Sequence, residues 1–274
     1  MRAAALSAVV YVALTGLLGA DLLVVLDRAV ASDPGDPLLN AAILTWNAQH
    51  VPFTEAWWQF PIFHPTRDTL TFSEHVLGLS VIATPLYWMT SSTLAAYNGT
   101  LLLTYPLCGL AMFALVYRLT RSGAAAFLAG LAYAFAPARV SQLPHLQILA
   151  TFYAPLALAG LHAYLDTGRR GWLALFGLSW MLQGAATGYL LIYGSVLIGF
   201  WILWFVVAPG RWRELRAVLA TLALGALPLV PILYRYFTVH AQHGFSRGLG
   251  EAAVFGADIT SFLCASRFCR SGDG

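Results

Sequence analysis

Residues 33–75, DPGDPLLNAAILTWNAQHVPFTEAWWQFPIFHPTRDTLTFSEH, interrupt an otherwise apolar chain and decide how it is read. They belong to a polar loop, about 28–75, that follows a first apolar segment. The loop holds Asp33, Asp36, Glu55, Asp68 and Glu74, five of the twelve carboxylates in the protein. It also holds His50, His64 and His75 and the aromatics Trp46, Trp57, Trp58, Phe60 and Phe63. Charge is scarce elsewhere. Only 10% of the 274 residues are charged and 59% are hydrophobic, where a soluble domain carries roughly 25% charged residues. A membrane protein that gathers its few charges in its first loop is expected to do its chemistry there.

Outside this loop the chain reads as membrane helices. Apolar runs near 6–26, 95–117, 147–165, 172–208 and 217–233 approach or exceed the ~20 residues needed to cross a bilayer. A transmembrane β-barrel would instead show alternating segments of about 10 residues. The first run begins after Arg2 and contains the small residues LGA at 18–20, as a secretory signal does. Its apolar character continues through LLVVL to about residue 26, so it reads as an uncleaved first helix.

Arginine sets the expected topology. All fifteen basic residues are Arg, which together with the Ala, Gly and Leu richness reads as a GC-rich bacterial genome. Three clusters, Arg118/Arg121, Arg169/Arg170 and Arg211/Arg213/Arg216, mark cytoplasmic loops. Two crossings, 124–137 and 147–165, fit between the first two clusters, with a short outer turn at PARVSQLPH. The run 172–208 spans about 55 Å as helix, enough for two crossings, with GAATG at 184–188 as the outer bend because Gly tolerates a tight turn. The first helix then runs outward and places 28–75 outside, and 217–236 runs outward again.

The piece VLGLSVIATPLYWMTSS, within 76–92, is short and contains Pro85, so it is expected to be re-entrant or to lie in the interface. The expected architecture is all-α, with about seven or eight transmembrane helices and a large first periplasmic loop carrying juxtamembrane helices. Residues 1–237 form the transmembrane domain. Residues 238–274 form a periplasmic tail that reads as truncated, either a truncated product or half of a split gene whose missing C-terminal half a partner chain could supply. Cys108 reads as a small packing residue. Cys264 and Cys269 could pair outside the cell, but their spacing is weak evidence.

Three pieces of sequence carry a resemblance. GDPLLNAAILTWNAQH opens the loop on an acid, FSEHVLGLSVIATPLYWMT closes it on an acid before a Pro-Leu-Tyr-Trp helix, and ALVYRLTRSGAAAFLAGLAYAFAP ends a helix in a basic turn. This resembles the GT-C superfamily of integral membrane glycosyltransferases, in the branch of protein O-mannosyltransferases and the bacterial enzymes that put aminoarabinose on lipid A. The resemblance covers residues 1–165 well and the rest loosely. It implies a polyprenyl-phosphate sugar donor, an acceptor activated by the first-loop acid, and an active face that is periplasmic or extracellular on a bacterial inner membrane. By position, Asp36 matches the first acid and Glu74 the acid before the Pro-Leu-Tyr-Trp helix. The chain departs from the pattern in having Asp33-Pro-Gly-Asp36 for an Asp-Glu pair and Glu74-His75-Val-Leu for Glu-Lys-Pro-Pro.

Such transfer needs a base, cations or a metal at the leaving phosphate, and an apolar groove for the lipid tail. A partly desolvated carboxylate suits the base. Asp36 is the first candidate, Asp33 the second, and Glu74 stands with them. Asp-Pro-Gly-Asp-Pro is also a strong turn signal with a good N-cap, and Ser73-Glu74 could simply cap the following helix. Asp36 and Glu74 are the candidate ligands of a divalent cation. Arg139 and His145 are the leading candidates for the phosphate, since Arg makes bidentate phosphate contacts; Arg67, His64 and His75 are further substrate-binding candidates. Arg139 could equally snorkel to headgroups. Trp46, Trp57, Trp58 and Trp88 could line a groove or form an interfacial belt. His240, His243, Arg247, Glu251 and Asp258 form a second outer polar set.

The chain has no Walker loop, dinucleotide fingerprint, CxxC or HExxH, so no nucleotide cofactor is expected. Its net charge of +3 reads as topology rather than nucleic-acid affinity. A non-enzymatic carrier or assembly factor for lipid-linked sugars would place charges within the spans. Asp21 and Arg235 are the main such residues. An inactive truncated fragment is the remaining reading.

Overall fold

A computed structural model describes residues 2–245 together with Gly248 and Gly250. The described residues are all helical apart from their connections. Five helices are long and apolar enough to cross a membrane: Thr93–Thr120, Gly123–Gln142, Leu146–Thr167, Gly188–Val207 and Trp212–His243. The protein is therefore a helical, membrane-embedded one.

Helix α1 (Arg2–Leu18) and the short α2 (Ala20–Val24) form the first rod, broken at Gly19. The 28–75 loop is itself built of structure: α3 (Asp36–Gln49), α4 (Glu55–Trp58) and a 3-10 turn at Thr69–Phe72. Helix α5 (Leu77–Thr90) follows, then the long α6 (Thr93–Thr120) and α7 (Gly123–Ala134). The turn between α6 and α7 is written in its residues. Arg121 ends α6 in the left-handed region at φ 57°, and Ser122 caps α7 by accepting the Ala125 N–H at 3.2 Å. Small residues then let the helices close up. Gly130 packs on the Gly109 carbonyl and on Tyr11, whose hydroxyl donates to the Phe127 carbonyl at 2.8 Å.

A 3-10 turn at Pro137–Gln142 and the short α8 (Leu146–Leu149) lead to α9 (Tyr153–Thr167), which Gly168 ends at φ 67°. Helix α10 (Arg170–Ala186) and α11 (Gly188–Ile202) are joined by the single extended residue Thr187. The bend thus falls within the expected GAATG. Helix α12 (Trp212–Ala226) continues through a 3-10 turn into α13 (Val230–His243). This composite helix of 32 residues is about 48 Å long, longer than the ~30 Å hydrocarbon core. Its far end therefore reaches the first loop. The boundary expected at 237/238 falls inside α13, which runs on to His243.

The bundle has two distinct ends. At one, Asp166 meets Arg118 at 3.3 Å and Arg121 at 3.6 Å, Arg118 lies 5.7 Å over the Trp172 ring, and Arg211 donates to the Leu165 carbonyl at 3.5 Å. The three arginine clusters thus share one end. At the other end the loop helices share one hydrophobic core with α5, α6, α10 and α13. Trp57 and Trp58 are buried in it, and Trp57 Nε1 donates to Asn47 Oδ1 at 2.7 Å. Asn47 Nδ2 in turn donates to the His75 carbonyl at 2.8 Å and to Ser80 at 2.9 Å. These two tryptophans hold the loop together instead of lining a groove or a belt. Trp88 is exposed.

Helix α5 has 14 residues, too short to cross, and packs against α3, α6 and α10. Its seat on α10 is backbone on backbone. A Cβ at Gly78 would strike the Leu182 carbonyl oxygen and the Ala186 nitrogen. Gly78→Ala should therefore cost about 1–3 kcal/mol and lower the thermal midpoint in detergent. Gly16→Ala, where a Cβ meets open space, serves as the control.

Candidate functional site

Glu74 does not cap the helix that follows it. Helix α5 begins at Leu77 after Val76, with no side-chain cap. The carboxylate reaches instead to the α10–α11 bend, where its Oε1 accepts the Thr187 hydroxyl and, at 3.0 Å, the Gly188 N–H. A carboxylate at the first residues of α11 also faces the positive end of that helix. Thr187 and Gly188 were legible in the sequence only as part of the GAATG bend, because nothing in a local pattern links residue 74 to residue 187.

The turn chemistry of Asp-Pro-Gly-Asp resolves cleanly between its two acids. Asp33 makes the turn by accepting the Gly35 N–H at 2.9 Å. Gly35 is the cap of α3 and Asp36 its first residue, making no side-chain cap. Asp36 is left to pair with His145, its Oδ2 lying 3.2 Å from His145 Nε2. One helical turn along, Asn40 Nδ2 donates to Gln147 Oε1 at 3.1 Å. Gln147 and His145 both stand close enough to Glu74 to favour its charged form. Tyr97 of α6 lies within reach of the Asp36 and Asp33 charges. The structure therefore brings Asp36, His145 and Glu74 to one place, with Asn40, Gln147 and Tyr97 around them. The i, i+4 spacing of Asp36 and Asn40 was a legible signal for the second of these pairs.

Three polar atoms at this place are buried without a hydrogen-bond partner in the protein: Glu74 Oε2, Tyr97 OH and His145 Nδ1. Buried polar groups are normally paired, so a group of orphans from three separate elements marks a place built to meet something else. Burial pushes the Glu74 carboxyl up from the ordinary range, and the hydrogen bonds from Thr187 and Gly188, with Gln147 and His145 nearby, oppose this without reversing it. Among the described residues no group of three or more His, Cys, Asp or Glu is arranged to hold a metal ion.

Arg139 lies in a different setting. It is buried, donating from Nη2 to Thr104 Oγ1 at 3.2 Å and from Nη1 to Cys108 Sγ at 3.7 Å, and it stacks 4.8 Å over the Tyr105 ring. No carboxylate is among these partners, and its Nε is buried and unpartnered. It does not snorkel; it lines a cavity of about 430 Å³ whose walls include Leu18, Leu22, Leu102, Phe135 and Leu143, with Asp21 beside them. The cavity reaches Val30 and Ala31, at the entrance of the Asp33 turn. Cys108 is the packing residue expected, fully buried behind the guanidinium.

The remaining candidates lie apart. His64 and Arg67 are exposed and make no side-chain hydrogen bond or ion pair among the described residues. His75 turns into the loop core with 8% exposure, its Nδ1 accepting the Leu77 N–H at 3.1 Å and its ring edge-on to Trp57 and Tyr236. Its carbonyl and ring hold the loop, which gives a structural reason for a histidine there. Arg235 does not line a path; it binds Glu55 and Asp68, each at 2.7 Å. His240 sits 2.9 Å from the Thr71 carbonyl oxygen. Arg247, Glu251, Asp258, Cys264 and Cys269 lie outside the described residues.

Comparison with protein-family models, with curated proteins and with solved structures finds no match.

Burial depresses the His75 imidazole from 6.5 to about 4. The folded state thus holds it neutral while the unfolded chain takes up a proton below about pH 6.5. Its contribution is present above that pH and is lost as pH falls toward 4, up to about 3 kcal/mol in all. His75→Gln should flatten the fall in unfolding temperature between pH 6.5 and 4. An unchanged acid limb in that variant would show that other groups carry it.

Proposed function

We propose that the protein is a membrane glycosyltransferase of GT-C type. It moves a sugar from a polyprenyl-phosphate donor to a lipid, glycan or protein acceptor at the periplasmic face of a bacterial inner membrane. The observation that carries this reading is the meeting of the two loop acids, Asp36 and Glu74, around His145, beside an apolar cavity holding a buried, carboxylate-free Arg139.

The span count fits the same architecture. Adding the α1–α2 rod and the 17-residue α10 to the five long helices gives about seven crossings of a ~30 Å core. With the shared arginine end in the cytoplasm, the first loop, the α10–α11 bend and the end of α13 all lie outside.

In this reading the acceptor O–H gives its proton to a carboxylate as its oxygen bonds to the anomeric carbon. The bond from that carbon to the phosphate oxygen breaks, and the electron pair leaves with the phosphate. Glu74 suits the base better than Asp36, because its carboxyl is pushed up toward the working pH by burial. Asp36 is half exposed; it orients His145 and, through it, the edge of the site. The tail lies in the 430 Å³ cavity and the phosphate meets Arg139. Arg139 is held at Thr104, two turns along α6 from Tyr97, so the cation and the carboxylates stand at different levels of the bundle. No step here is routed through a divalent cation, since among the described residues no three His, Cys, Asp or Glu side chains converge to hold one.

The cavity with Arg139 and Asp21 also suits a carrier that binds the lipid-linked sugar without reacting it, and variants separate the two. For the transferase, Glu74→Gln should lower transfer by about 100-fold or more and leave donor binding intact. Asp36→Asn should lower it less, and Arg139→Ala should weaken binding of a purified polyprenyl-phosphate sugar by about tenfold or more. No transfer by the unaltered protein, with donor binding present and lost in Arg139→Ala, would establish the carrier; transfer unchanged in both carboxylate variants would remove Glu74 and Asp36 as the base.

A further inference from the structure

The last helix grips the segment that carries Glu74. Arg235 Nη2 donates to Glu55 Oε2 and Asp68 Oδ1, both at 2.7 Å, so one nitrogen holds two carboxylates of the first loop together. Gln59 braces Asp68 from the other side, with its Nε2 donating to Oδ1 at 2.8 Å and its Oε1 accepting the Asp68 N–H at 3.0 Å. The next residue, Tyr236, donates to the Ser73 carbonyl at 2.5 Å, and His240 meets the Thr71 carbonyl at 2.9 Å. From Asp68 to Ser73 the chain is thus held at three points along one face of α13, and Glu74 follows directly.

The same helix walls Glu74 in. A cavity of about 130 Å³ is lined by Glu74, Thr187, Gly188 and Leu191 on one side and by Ile232, Leu233 and Tyr236 of α13 on the other. The outer face of α13 exposes Tyr234 and Phe237 at 68% and 74%. Its inner face seats Ile232 and Val239 on the protein and Tyr236 against His75, and the Arg235 contacts pin that face to the loop.

We infer that Arg235 is a positioning residue for Glu74: by pinning α13 to Glu55 and Asp68 it fixes the 68–73 segment and closes the side of the site against water. This rests on the reading of Glu74 as the site carboxylate. It adds that α13, far from the acid motifs in sequence, completes the site.

Two readouts test it. The first needs no substrate. Leu191→Cys, in a background with the other cysteines changed to Ser, should react slowly with a water-soluble maleimide. It should react about tenfold faster when Arg235→Ala is added, and at the original rate with Arg235→Lys.

The second is the split of the transfer kinetics. Lifting α13 frees the segment that places Glu74, so the maximal rate should drop on the order of 10- to 100-fold with donor binding retained, and Arg235→Lys should restore it. Glu55→Gln, which removes one of the two bonds, should give a smaller change in the same direction and guards against a variant that fails to fold. Equal labelling and an unchanged maximal rate in Arg235→Ala would overturn the inference. Faster labelling in a protein without transfer activity would uphold the clamp and count against the transferase reading alone.

Discussion

The contact on which the rest of the site depends is the Glu74 carboxylate on Thr187 and Gly188. It joins the end of the first loop to a bend in the second half of the bundle. Four residues further on, Gly78 lies backbone to backbone on Leu182 and Ala186. Between them these contacts lock the start of α5 against the end of α10. A loop of this length would otherwise be free to move on the bundle surface. Fixed at its last acid, it has a defined place to bring its first acid, and α3 carries Asp36 there. The Tyr153 hydroxyl, donating to the Gly78 carbonyl at 3.0 Å, ties α9 into the same junction.

Much of this was legible in the sequence, for physical reasons. The bilayer demands long apolar helices, so 95–117, 124–137 and 147–165 announced themselves, and a Gly-rich bend at 184–188 was the only way to fold back 172–208. Asp36, Glu74 and His145 could be picked out because polar residues are costly and few near a membrane. Their assembly could not. Which acid makes the turn and which is left free depended on one backbone N–H, that of Gly35. Whether Glu74 caps its own helix or another depended on the placement of Thr187, more than a hundred residues away.

Tertiary contacts of this kind also explain the residues whose roles shifted. A histidine beside an acid reads as a ligand, yet His75 is turned inward because Asn47 takes its carbonyl and Leu77 its ring nitrogen. A pair of tryptophans in an outer loop reads as a belt, yet Trp57 and Trp58 are buried where the loop packs onto the bundle, in one hydrophobic cluster with Leu79, Leu101 and Ile232. Arg235, read as a charge near a span, is met by two carboxylates because the 32-residue helix that bears it overshoots the apolar layer.

The two buried cationic and anionic parts of the site are kept apart, and that separation is itself an argument. If Arg139 served only to neutralise charge in the fold, the economical arrangement would pair it with Asp36 or Glu74, because a buried guanidinium without a carboxylate is costly. It is held instead by a hydroxyl, a thiol and a ring face, partners that orient it without neutralising it. Glu74, likewise, is held by neutral donors at one oxygen and has no partner at the other. Each half of the site thus carries an unmet requirement of opposite sign at a different depth. A lipid phosphate for one and a proton donor for the other would meet both at once, which a purely structural role for these residues would leave unexplained.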